Sequence, residues 1–167
     1  MHSSNRPLLN IPRTKREKIW NAVGILFYIG SILFLLFSWY DLPSKVPAHY
    51  NITGEVNRWG SKWELLLLPG ISTFLLILMT LLEKSPNVHN YPERFNENNA
   101  AQFYLNSRKL VNMLKNICLI VFSLIVFESV SISLGWGLRI GIWFLPFMLI
   151  STLLPIVISL LERRHIK

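Results

Sequence analysis

The chain has 167 residues, 51% of them hydrophobic and 16% charged, with a formal net charge of +8 and a mean hydropathy of +0.39. Soluble domains carry about 25% charged residues, so this balance points to lipid as the surrounding medium and to one domain at most. The surplus of Lys and Arg would suit nucleic acid in a soluble protein; here it reads as membrane topology, and nucleic acid is set aside as a partner.

In chain order, residues 1–18 form a basic leader with Arg6, Arg13, Lys15, Arg16 and Lys18. Residues 19–40 are free of charge, and at 1.5 Å per residue they reach roughly 33 Å, enough for a bilayer core of about 30 Å. No small-residue cleavage site interrupts them, so the run is expected to stay as the first span. Residues 41–62 form a polar loop. The second span, 63–82, carries Pro69-Gly70, which is expected to kink it. A second loop covers 83–109. The third span, 110–134, holds Asn112, Lys115 and Asn116 at one end and Glu128 near the other. Lys115 is expected to snorkel to the headgroups. Gly135-Trp136-Gly137 reads as a tight turn, its glycines suited to unusual dihedrals. The fourth span, 138–161, contains Pro146 and Pro155, and residues 162–167 are a basic tail.

The expected fold is an all-α integral membrane protein of four transmembrane helices. Thirteen of the 17 Lys and Arg fall in the leader, the 83–109 loop with Lys115, and the tail. Only Lys45, Arg58, Lys62 and Arg139 fall on the other side. Both termini are therefore expected inside, the 41–62 loop outside, and the 83–109 loop in the cytoplasm. Trp20, Trp39, Tyr40, Trp59, Trp63, Trp136 and Trp143 sit where an interfacial belt would lie.

Two loops carry information. In the external one, Tyr50, Ile52 and Val56 flank a Thr53-Gly54 turn signal and suggest a short hairpin. His49, Asn51, Gly54, Glu55, Arg58 and Lys62 are its candidate ligand residues. His49 with Glu55 resembles an acid–base or zinc pair. A third metal ligand is missing from the loop, so neither a metal nor a cofactor is expected. In the cytoplasmic loop Asn96 reads as a helix N-cap. Beyond it Ala100, Phe103, Ser107, Leu110, Val111 and Leu114 recur at helical spacing, an amphipathic surface helix leading into span three. Tyr91, Asn98, Asn99, Phe103 and Arg108 are candidates there for docking a cytoplasmic regulator. Inside the membrane Glu128 needs a partner; Arg139 across the turn is the first choice, with Lys62 and His49 as alternatives. The single cysteine, Cys118, lies in an apolar run and cannot form an internal disulfide.

Leu42-Pro43, Pro47-x-His49-x-Asn51-x-x-Gly54, Lys62 and Pro69, followed by Asn90-Tyr91-Pro92 and Asn98-Asn99, resemble a bacterial membrane family, domain of unknown function 1648, over residues 19–115. That domain also forms the N-terminal part of SdpI-type immunity proteins. The resemblance implies a bacterial inner-membrane location, with His49, Asn51, Gly54 and Lys62 as recognition residues. It also implies partners such as a secreted toxin outside and a regulator inside. The second SdpI-type module, with its Arg-Thr-Pro-Trp-type segment, has no counterpart after Lys115, so immunity itself is not carried over. The leading expectation is a non-enzymatic protein that senses or blocks a toxin or envelope ligand. The alternatives are an enzyme or transporter subunit using His49, Glu55 and Glu128, and a structural partner in a larger complex or homo-oligomer.

Overall fold

The structure, a computed structural model, describes residues 6–137 and 139–167. Helix α1 runs Lys15–Ser38. It starts four residues ahead of the apolar run because Thr14 caps it. The Thr14 hydroxyl accepts from the Glu17 amide at 3.3 Å, and the Glu17 carboxylate accepts from the Thr14 amide at 2.7 Å. That reciprocal capping box satisfies donors an apolar helix start leaves bare.

Strands β1 (Lys45–Tyr50) and β2 (Val56–Ser61) form an antiparallel hairpin, so the fold is mainly rather than wholly helical. The register runs from Lys45↔Ser61 to Tyr50↔Val56, with irregularities at Pro47/His49 and His49/Tyr50. A proline that cannot donate to the ladder belongs at such a site. A single 3-10 turn, Lys62–Leu66, leads into α2, Leu67–Lys84. Pro69-Gly70 does not kink this helix. Pro69 is its third residue, where the missing N–H is one of the donors without an intrahelical partner.

Helix α3 is continuous from Ala100 to Ser133. Its 34 residues measure about 51 Å. The amphipathic segment expected to lead into the third span forms the first turns of α3. The N-cap position is Asn99, and Asn96 stands one turn earlier, its side chain accepting from the Asn98 and Asn99 amides at 2.9 and 3.2 Å. Helix α4, Phe144–Arg164, follows a short turn at Gly141–Trp143. The expected start of that span, Leu138, lies outside the described residues. Pro155 sits inside α4 and leaves the Ser151 carbonyl without its helical donor.

Among the described residues, four helices are thus long and apolar enough to cross a membrane. Helix α3 is central: α1, α2 and α4 all pack on it, while α1 and α2 touch each other little. The outer helices turn Leu26, Phe37, Phe74, Ile77, Leu153 and Val157 outward, as a lipid-facing bundle must. Two apolar cores lie at opposite ends. Leu35, Leu42, Val46, Leu65, Val126 and Val130 seat the hairpin, and Phe95, Ala100, Phe103 and Tyr104 lie under the 85–99 loop. Both chain ends reach this second, basic end: Tyr104 donates to the Pro7 carbonyl, and Asn99 donates to that of Lys167.

Candidate functional site

At the hairpin end, one face of the hairpin is committed to packing. Val46 is fully buried, and the Tyr50 hydroxyl hydrogen-bonds that of Ser129 on α3 at 2.7 Å. Burial pushes the Tyr50 phenol up to about 12, a shift the Ser129 bond opposes and the Glu128 charge reinforces. The turn is built from its own side chains. Asn51 accepts from the Thr53 and Glu55 amides at 3.0 and 2.8 Å and donates to the Glu55 carboxylate at 3.1 Å. Gly54 has φ +78°, and a Cβ there would stand 2.5 Å from the Gly141 backbone. Asn51, Gly54 and Glu55 therefore shape the loop. Lys62 is also committed: its ammonium donates to the Trp39 carbonyl at 3.3 Å and lies over the Trp39 ring, favourable at the C-terminal end of α1.

What stays outward is a shorter set. His49 pairs with Asn57 through Nδ1 at 2.6 Å. Arg58 is bound to Glu64 at 2.8 Å, which raises the Arg58 pKa. Trp59 and Trp63 are largely exposed. His49 and Glu55 are not hydrogen-bonded to each other, each having its own partners. No group of three His, Cys, Asp or Glu side chains is close enough to hold a metal among the described residues.

Glu128 is 7% exposed, and its Oε1 accepts the Ile140 amide at 2.9 Å. Among the described residues it has no ion pair with Arg139. The turn backbone crosses the carboxylate first and supplies an N–H, while the Arg139 side chain stays exposed. Lys62 and His49 are likewise engaged elsewhere.

At the basic end the proposed docking residues are mostly occupied from within. Phe103 is fully buried and Tyr91 half-buried; Tyr91 stacks on Phe95 with centroids 4.8 Å apart and meets Phe103 edge-on at 5.7 Å. The Arg6 and Arg163 guanidiniums lie 5.2 and 5.3 Å from the Tyr91 centroid. Burial, the largest influence, pushes the Tyr91 phenol up to about 12, with Arg163 and Arg6 opposing it. Asn99 is buried and ties Asn96, Arg94 and Lys167 together. Arg108 binds both Glu17 oxygens, at 2.8 and 3.2 Å, and donates to the Pro12 carbonyl at 2.9 Å. Of the five residues only Asn98 is exposed.

The largest departure from the sequence reading lies between α1, α2 and α3. Lys115 does not snorkel: its side chain is 4% exposed and pairs with Glu83, itself 1% exposed. Arg13 reaches the same carboxylate at 3.2 Å, and the Asn112 amide donates to it at 3.2 Å. Asn112 and Asn116 both donate to the Asn21 side chain, at 2.8 and 3.0 Å. Glu17, Asn21 and Glu83 were not singled out from sequence. The available signal was the i, i+4 row Arg108, Asn112, Asn116, which puts one polar stripe on α3. Asn116 lies against Gly24 so closely that a Cβ there would collide with its side chain. This network saturates its carboxylates and locks three helices; it leaves no carboxylate without a partner.

Residues 26–73 match the family described as Domain of unknown function (DUF1648). The matched segment runs from α1 through the hairpin into α2 and includes Pro43, Pro47, His49, Asn51, Gly54, Lys62 and Pro69, but not Asn90-Tyr91-Pro92. An uncharacterized protein of the archaeon Archaeoglobus fulgidus is 31% identical over 112 residues, covering 66% of this chain. The chain spans 57% of the length of that relative. No solved structure matches. An archaeal relative shows that similar chains are not confined to bacteria. From within α1, through the hairpin and into α2, the chain is similar to the DUF1648 family.

Proposed function

We propose that this protein is a non-enzymatic, multi-pass protein of the cell membrane with both termini in the cytoplasm, and that its hairpin recognises a peptide or protein toxin, or another envelope ligand, outside. One observation carries the reading. The hairpin is braced on α3 by Val46, Tyr50 and Gly54, while His49, Asn57 and Trp59 face outward on a rigid support. A fixed polar row beside an aromatic is the kind of surface that binds at low entropic cost. Chemistry through His49, Glu55 and Glu128 has less support, since the three are bound to different partners. A cytoplasmic regulator would find Asn98 free but would have to displace the leader and tail to reach Tyr91 or Phe103.

The test is a gene deletion challenged with culture supernatants of the same organism. The deletion strain should lose viability, the wild-type gene should restore it, and His49→Ala or Trp59→Ala should not, at equal membrane levels. Equal survival of the deleted and parent strains would sink the reading.

A further inference from the structure

Among the helices α4 packs chiefly on α3, which leaves a lateral cleft between α1 and α4 with α3 as its floor. The cleft has two joined parts. The longer is an apolar groove of 300 Å³ lined by residues such as Met113, Ile117 and Phe147. The other is a chamber of mixed lining, 110 Å³, towards the basic end, with Arg16, Lys109, Asn106, Glu17 and Glu162 in its wall. Arg16, Trp20, Met113, Pro155 and Ile158 line both, so the two are continuous. From Phe147 to Ile158 the groove follows α4 for about 17 Å, close to one leaflet of a bilayer core about 30 Å thick.

The charges at the polar end are unequal in their freedom. Glu17 is bound by Arg108, and Glu162 accepts from Asn106 at 3.2 Å. Among the described residues Arg16 contacts only the Met113 sulfur, at 3.7 Å, and neither it nor Lys109 makes an ion pair. Trp20, at the junction, is a residue type that settles at headgroup depth. Arg16 and Lys109 stand with Glu162, none of the three ion-paired among the described residues, so the end above the apolar, leaflet-long groove keeps a net positive charge and matches one kind of molecule in charge and in shape.

We propose that this cleft binds one anionic phospholipid of the leaflet at the basic end, with an acyl chain along Met113, Ile117 and Phe147 and the phosphate held by Arg16 and Lys109. The site is independent of the hairpin and of what the hairpin recognises.

The experiment is native mass spectrometry of the full chain released from vesicles of equal parts phosphatidylglycerol and phosphatidylcholine. The wild type should retain one phosphatidylglycerol in preference to phosphatidylcholine. The exposed double variant Arg16→Gln/Lys109→Gln should lose that preference, by roughly thirtyfold if each cation is worth about fivefold near an anionic surface. Ile150→Trp, which fills the groove, should reduce retention of both lipids, whereas Leu149→Trp, beside it on α4 but outside the groove, should not. Equal retention of the two lipids by wild type and charge variant would mean ordinary annular lipid and overturn the proposal. So would a second copy of the chain taking the place of lipid, or retention indifferent to Ile150→Trp.

Discussion

Glu83 illustrates how a carboxylate persists inside a bundle whose other surfaces meet lipid. It is almost wholly buried, and Lys115, Arg13 and Asn112 share its oxygens. Removing one partner of a buried pair strands the other charge. Glu83→Leu, which leaves the buried Lys115 ammonium without its ion-pair partner, should therefore lower stability by about 3–5 kcal/mol, read as the unfolding midpoint in detergent. Adding Lys115→Met should recover much of the loss, and a double variant no better than the single would contradict the pairing. His89 makes a prediction of opposite character, set by pH. Its Nε2 donates to the Leu82 carbonyl at 3.1 Å, and burial favours the neutral ring, in which Nδ1 accepts from the Ser107 hydroxyl. Burial lowers its pKa, opposed only by the Leu82 bond. The unfolded chain, titrating near about 6.5, takes up the proton first as pH falls. Stability should thus be full above about pH 6.5 and decline below it, through the depressed folded pKa. Unfolding midpoints between neutral and mildly acid pH should show this decline in the wild type and a shallower one in His89→Gln.

Among the elements, the hairpin was legible and α3 only in part. Thr53-Gly54 between Tyr50, Ile52 and Val56 is a local signal, and local chemistry also holds the turn, through Asn51 and Glu55. Gly54→Ala should cost at least about 1–2 kcal/mol, since it forces a side chain into the left-handed region and against Gly141. Hydrogen exchange should then quicken in β1 and β2 while the amides of α3 stay protected; unchanged exchange in the strands would refute the bracing. For α3 the apolar pattern marked the span only from residue 110, and within it Asn112, Lys115 and Asn116 looked unfit for lipid. Their partners, Asn21 and Glu83, lie on other helices at sequence separations that no periodicity reports. The same limit explains Glu128, whose partner is a backbone N–H rather than a charge visible in the sequence. Pro69 failed as a kink for a local reason: the helix starts later than the apolar run.

For the whole molecule, four helices among the described residues apolar enough to cross a membrane agree with the meeting of Pro7 and Lys167 at one end, and thirteen of the 17 basic residues fall in the segments expected there. Orientation follows as a prediction. In a Cys118→Ser background, Asn57→Cys should react with a membrane-impermeant maleimide in intact cells, and Glu97→Cys only after permeabilisation; the reverse pattern would invert the topology. The ring of Tyr91 lies between Arg6, near the start of the chain, and Arg163, near its end. Arg163 leaves the ribosome long after Arg6, so the aromatic cluster at the basic end stays half-clasped until synthesis has passed α4. A chain interrupted before Arg163 would leave that side of the Tyr91 ring without its guanidinium cover.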